Sequence, residues 1–181
     1  MNDDVTVLLS EKEIDLRLDT LAAEIDAYYQ SVGVDEVIAV CVLKGSLVFT
    51  ADLIRKMKTK TIIDFLRVSS YNGTTTTGNI KFINDLSEDI TGKHLLIIED
   101  IIDTGKTLRS VIDKLWEREP KSIKLCSFLD KPARRTVKIQ GDFVGFSIPD
   151  HFVVGYGLDY NEHYRDLPFL GILKPEVYGG K

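Results

Sequence analysis

The stretch LLIIEDIIDTGKTL, residues 95–108, reads as a buried strand running into a helix, and the rest of the chain can be placed around it. Leu95, Leu96, Ile97 and Ile98 form a continuous apolar run, the pattern of a strand covered on both faces in a parallel sheet rather than of an alternating, half-wet one. The run stops in acid. Glu99 and Asp100 are placed where the chain leaves the sheet, and ligands of open α/β sheets bind just beyond the carboxyl ends of the strands. Asp103, Thr104, Gly105, Lys106 and Thr107 then make a tight turn with one permissive glycine, and Leu108, Val111, Ile112 and Leu115 follow at helical spacing. Such a turn offers a phosphate unsatisfied amides and the positive end of a helix dipole, and Thr104 and Thr107 add hydroxyl donors.

Gly105, Lys106 and Thr107 also spell the end of the G-x-x-x-x-G-K-[ST] loop of nucleotide triphosphatases. That motif needs glycine at position 100, where this chain has Asp100, and a carboxylate in a polyphosphate cradle would repel its ligand. The segment alone is also compatible with an ordinary strand, loop and helix whose acids face water, the less favoured reading. As a site, two adjacent carboxylates, a third three residues on and a phosphate-binding turn suit a phosphorylated ribose. The acids accept hydrogen bonds from the ribose hydroxyls, directly or through Mg²⁺, and the metal offsets repulsion from a pyrophosphate on the anomeric carbon.

The run Glu-Asp-Ile-Ile-Asp-Thr-Gly-Lys-Thr, residues 99–107, closely resembles the phosphoribosyl pyrophosphate motif of the type I phosphoribosyltransferase family, in the form found in its hypoxanthine-guanine branch. The match continues through Leu43-Lys44-Gly45, Ser70-Tyr71, Lys131 and residues 148–166, so it covers most of the chain from about Val37 onward. The resemblance implies an α/β fold with a central, mostly parallel sheet flanked by helices and a small hood formed largely by C-terminal segments. It implies transfer of 5-phosphoribose from phosphoribosyl pyrophosphate to N9 of hypoxanthine or guanine, with Mg²⁺ as cofactor; transfer to adenine or xanthine is the alternative within the family.

Site roles follow from the same resemblance, residue by residue. Asp103 is the general base; Glu99 and Asp100 hold the ribose hydroxyls, and the turn of Thr104, Gly105, Lys106 and Thr107 holds the 5-phosphate. Lys44, Gly45 and Arg165 bind pyrophosphate, the Leu43-Lys44-Gly45 turn often through a non-proline cis peptide. Lys131 reads the purine 6-oxygen, Phe152 stacks on the base, Val153 reads its edge, and Asp159 joins Glu99 and Asp100 as a metal ligand beside the purine. Ser70 and Tyr71 belong to a lid that closes over the reacting centre. Taken alone, Lys44, Asp159 and Arg165 would read as surface charges and Phe152 as core.

Composition narrows the partners. A length of 181 residues suits one domain, residues 1–181, and leaves no room for a second full catalytic domain. A net charge of −5 with scattered lysines argues against nucleic acid, and against a non-catalytic, RNA-binding regulator on the same fold, which would need a basic face. No apolar run approaches the roughly 18 residues needed to span a bilayer, and MNDDV lacks the features of a secretory signal, so a cytoplasmic protein is expected. The small-molecule partners are phosphoribosyl pyrophosphate and a 6-oxopurine, and the family implies a homo-oligomer, dimer or tetramer. Cys41 and Cys126 lie in apolar strands without C-x-x-C spacing and are expected as buried free thiols; His94, His151 and His163 lack zinc-ligand spacing.

The remaining elements follow from pattern. Ser10 and Glu13 form a capping box ahead of a helix whose inward face is Ile14, Leu18, Leu21 and Ile25. Residues 37–43 form a buried strand, followed by a helix expected to turn Leu47, Ala51 and Ile54 inward. Further strands are expected at residues 61–68, 81–83, 122–128, 143–146, 151–154 and 169–173, with the helix after the central motif ending near Glu119, before Pro120. The polar stretch SSYNGTTTTGN between the strands at 61–68 and 81–83 is too small and polar to order itself.

Overall fold

The computed structural model describes residues 4–70 and 80–179. Two sheets make up the fold. The larger has six strands in the order β4 (Ile80–Asn84), β3 (Lys60–Ser70), β2 (Glu36–Val42), β5 (His94–Ile102), β6 (Ser122–Asp130) and β7 (Phe143–Ser147). Every neighbouring pair is parallel except β3 with β4.

The continuous apolar runs are explained by burial on both faces. Leu96 and Ile98 enter one core with Ala39, Cys126 and Phe128, while Leu95 and Ile97 enter the other with Ile38, Val40 and Leu125. This is the two-residue alternation of a strand, with both faces covered. The first core is roofed by α1 (Glu11–Ser31) and α2 (Leu47–Lys56), the second by α3 (Lys106–Trp116). Each fully buried leucine or isoleucine contributes about 1.5–3 kcal/mol.

The capping box forms as expected: Glu13 N–H donates to Ser10 Oγ and Ser10 N–H to the Glu13 carboxylate at 2.8 Å. Ile14, Leu18, Leu21 and Ile25 are all buried, joined by Ala22 and Tyr29. Arg17, on the same helix, donates to the carbonyls of Val144 and Gly145 and so covers part of the outer strand β7.

Three expectations need correction. The inward face of α2 is Phe49, Thr50 and Leu53, with Leu47 and Ala51 exposed and Ile54 only partly buried. Two apolar stripes run along this helix, and packing against α1 selects the one carrying the larger phenylalanine. Helix α3 ends at Trp116 rather than near Glu119, whose positive φ of 55° already belongs to the turn. Strand β5 continues through the acidic pair to Ile102, so Glu99 and Asp100 lie within a strand and not beyond it.

The smaller sheet is antiparallel, β1 (Val5–Leu9), β9 (Leu170–Leu173) and β8 (Val153–Val154) in that order. It is the expected hood. One of its strands comes from the N-terminus, a pairing of residues more than 160 positions apart that local pattern does not announce. Ser70 closes β3 opposite Ile80 of β4, whereas Tyr71 and the rest of the expected lid, residues 71–79, lie outside the described residues.

Candidate active site

The order of the large sheet reverses between β2 and β5: the chain goes from β2 outward to β3, and from β5 outward the other way to β6 and β7. A crevice opens at such a point because the connections on either side leave in opposite directions. Here β2 pairs with β5 only as far as Cys41 opposite Ile98, then turns away at Leu43. Beyond Ile98, β5 keeps only β6 as neighbour, with Glu99 opposite Ser127 and Ile102 opposite Asp130. The edge of β5 beyond Ile98 is therefore open toward the turn containing Lys44 and Gly45, and Asp100 meets that turn.

That turn packs tightly. The Leu43–Lys44 peptide is cis, as the resemblance implied. A Cβ placed on Gly45 would lie 1.5 Å from Asp100 Oδ2, so only glycine permits this approach. On the other side, a Cβ on Gly157 would lie 2.3 Å from the Gly45 carbonyl oxygen. Three segments remote in sequence, around residues 45, 100 and 157, thus close on one another.

Withdrawal from solvent, with the adjacent Asp100 adding to it, pushes the Glu99 carboxyl well above the usual carboxylate range. Burial raises the Asp100 carboxyl too, opposed by hydrogen bonding from Glu99 and Ile101 and by the charge of Arg165. A pair of carboxylates held where charge is costly favours a cation or hydroxyl donors. Among the described residues no three or more His, Cys, Asp or Glu side chains gather as a metal cluster. Asp159 instead accepts from Glu162 N–H at 2.9 Å and pairs with Arg165 at 2.9 Å. The donor set fits Mg²⁺ in the manner usual for that ion, which takes one or two carboxylates and completes its shell from substrate phosphates and water.

Glu162 gathers the basic residues. Lys44 Nζ donates to both of its carboxylate oxygens at 3.0 and 3.1 Å, and Arg165 Nη2 reaches it at 3.2 Å. Arg165 also donates to the Gly157 carbonyl at 2.8 Å. The two cations expected at a pyrophosphate are thus held on one side of the crevice.

After β5 the chain makes the expected turn. Gly105 has φ +81° and stands at the N-terminus of α3, whose first amides have no intrahelical acceptor. Thr104 Oγ1 lies 3.5 Å from Lys106 N. The turn is clamped from outside: Arg135 donates to the Asp103 carbonyl at 2.6 Å, Thr136 N–H donates to the Thr104 carbonyl at 3.1 Å, and Ile139 packs on Gly105. A cavity of about 240 Å³ opens here, lined by Glu99, Asp103, Gly105 and Thr107 with apolar side chains of β2, β3, β5 and α3. A larger groove of about 820 Å³ lies between α1, α2 and residues 165–168; it shares Arg165 but none of the acids of β5.

The loop after β6 meets the same turn. Lys131 is 7% exposed, its N–H donates to the Ile102 carbonyl, and its Nζ donates to the His151 carbonyl at 2.5 Å, one residue before Phe152. Phe152 remains 38% exposed, stacked on Tyr178 at 4.6 Å and edge-on to Tyr160. Val153 begins β8, opposite Ile172 of β9. Arg134, Arg135, Asp150, Glu162 and Tyr178 were missed by sequence reading; they lie in polar loops and a short helix without periodicity, and only their contacts single them out.

Residues 4–161 match the phosphoribosyl transferase domain family. The chain belongs to that family and, within it, to the hypoxanthine(-guanine) phosphoribosyltransferases. It is 50% identical over 172 residues to the hypoxanthine phosphoribosyltransferase of Buchnera aphidicola, covering 94% of this chain and 97% of that one. It is also 50% identical over 173 residues to the hypoxanthine-guanine phosphoribosyltransferase of Bacillus subtilis, covering 95% and 94%. The bifunctional TilS/HprT protein of Listeria innocua is 48% identical over 178 residues, and there the chain spans 27% of the relative's length. Among solved structures, a hypoxanthine phosphoribosyltransferase from Staphylococcus aureus superimposes with a TM-score of 0.92 at 47% identity, covering 98% of this chain and 96% of that one. A Trypanosoma cruzi hypoxanthine phosphoribosyl transferase gives 0.94 at 37% identity, covering 99% and 96%.

Proposed function

We propose that the chain transfers 5-phosphoribose from phosphoribosyl pyrophosphate to N9 of hypoxanthine and guanine, a purine-salvage reaction yielding the nucleoside 5-monophosphate and pyrophosphate. The observation that supports this reading is that Glu99, Asp103 and the Gly105 turn line one cavity at the end of β5, beside the loop in which Lys131 donates to the Ile102 and His151 carbonyls, in a chain half identical to enzymes of that name. Glu99 and Asp100 hold the ribose hydroxyls, and the amides and hydroxyls of Thr104, Gly105, Lys106 and Thr107 hold the 5-phosphate. Lys44, the Gly45 backbone and Arg165 neutralise the leaving pyrophosphate as positive charge develops on the ribose. Mg²⁺, bound with the substrate against Glu99 and Asp100 and approached by Asp159, would screen the repulsion between these acids and the pyrophosphate.

At the other end, Phe152 stacks on the purine, Val153 presents its backbone to the base edge, and Lys131 donates to the 6-oxygen. As N9 bonds to the anomeric carbon and the bond to pyrophosphate breaks, Asp103 accepts the proton from N7. Ser70 and Tyr71 belong to the segment that covers the reacting centre. The whole chain acts as one phosphoribosyltransferase domain in the cytoplasm, as a homo-oligomer, with no nucleic acid or membrane partner. Work on the Trypanosoma cruzi neighbour concerned its C-terminal region in oligomeric state and activity, which supports assembly as a property worth measuring here.

The test offers phosphoribosyl pyrophosphate and Mg²⁺ with hypoxanthine, guanine, xanthine or adenine in turn and follows absorbance. Nucleotide should form with the first two. Formation from adenine alone would overturn the base assignment, and none from any base would overturn the function.

A further inference from the structure

Lys131 opens a short 3₁₀ turn, Pro132–Arg134, and Arg134 follows it by three residues. The two cations converge on one carboxylate, Asp150. Lys131 Nζ donates to the His151 carbonyl and stands 3.7 Å from Asp150 Oδ1. Arg134 Nη1 donates to that same Asp150 oxygen at 3.2 Å. Its Nε lies 2.7 Å from Asp103 Oδ1, an oxygen closed off from solvent whose only close charged neighbour among the described residues is this guanidinium, in an ion pair without hydrogen-bond alignment.

We infer that Arg134 is a positioning residue for the transfer: it holds the Asp103 carboxylate through Oδ1 and ties it, through Asp150, to the lysine that reads the purine. Resting on the proposed function, this makes N7 deprotonation and 6-oxygen recognition one mechanical unit. The backbone of Asp103 is held separately, by Arg135, which is itself paired to Asp130. Removing the Arg134 side chain therefore frees the carboxylate without releasing the turn. The Arg134 and Asp103 side chains are 45% and 40% exposed, so water can reach the carboxylate once the guanidinium is shortened.

The assignment is tested by initial rates of nucleotide formation from hypoxanthine with the full chain, comparing Arg134→Gln and Arg134→Lys in the parent and in Asp103→Asn. Arg134→Gln should lower kcat about ten-fold while the KM for phosphoribosyl pyrophosphate stays within two-fold, because misplacing a reacting group costs turnover more than binding. Arg134→Lys should recover part of the loss. In Asp103→Asn the added Arg134→Gln should change kcat by less than two-fold, since the group it positions has already lost its role. An unchanged kcat in Arg134→Gln, or an equal fold-loss in both backgrounds, rules out action through Asp103. Failure of the parent chain to form nucleotide from any purine is a different result: it removes the proposed function and this inference with it.

Discussion

Gly45 and Asp100 approach so closely that a single added carbon on the glycine would fall 1.5 Å from the Asp100 Oδ2 atom. Gly45→Ala must therefore move either the Asp100 carboxylate or the turn, and Gly157 behind the turn blocks easy retreat. Overpacking of this kind costs about 1–3 kcal/mol of stability, and a displaced pyrophosphate turn is expected to lower kcat/KM for phosphoribosyl pyrophosphate by about 100-fold. Steady-state kinetics with a urea melt checks both. A variant with parental kcat/KM would mean the turn does not contact the substrate.

Asp103 lines the cavity, with one carboxylate oxygen against Arg134. Asp103→Asn keeps the shape but cannot accept the N7 proton, so turnover should fall about 10²- to 10⁴-fold while phosphoribosyl pyrophosphate still binds. Turnover within a few-fold of the parent would take the base role away from Asp103.

Lys131 is almost wholly buried, and its ammonium can only donate. Hypoxanthine and guanine offer it an oxygen at position 6, whereas adenine offers another donor. A site left unpaired in this way discriminates by about 10⁴- to 10⁵-fold, so adenine should be a very poor substrate. Lys131→Ala should lower efficiency with both 6-oxopurines and narrow their lead over adenine. An unchanged ratio would place recognition of the 6-oxygen elsewhere.

The raised carboxyls of Glu99 and Asp100 carry a sign for stability. A folded-state value above the unfolded one stabilises the fold only while the group is protonated, and that contribution is lost as pH rises through the raised value. The protein without divalent cations should therefore weaken as pH climbs above the ordinary glutamate value of 4.5. Glu99→Gln should be more stable than the parent at pH about 8, with the gap closing toward pH about 5. Urea unfolding at the two pH values decides it; parallel curves would show that Glu99 ionises freely.

Cys41 and Cys126 are buried, and burial pushes the Cys126 thiol far above its usual range. A thiolate is the reactive species, so neither should react with an alkylating reagent until the chain unfolds. Mass spectrometry after labelling in buffer and in denaturant checks this, and rapid labelling in buffer would place a thiol at the surface.

Local periodicity and polarity determined much of this protein. The unbroken run of residues 95–98, the acids that follow and the glycine before α3 identified the central strand, its acidic end and the turn into α3, because each is a property of neighbouring residues. The capping box and the face of α1 were equally legible. Tertiary structure decided the rest. It chose between the two apolar stripes of α2, extended β5 past Glu99 and Asp100 to Ile102 by continued pairing with β6, and brought Val5–Leu9 to a strand at the far end of the chain. It also placed Arg134 against Asp103 and Glu162 between Lys44 and Arg165. Charged residues in loops have no period to read; their partners are set by which loops the sheet order brings to one crevice.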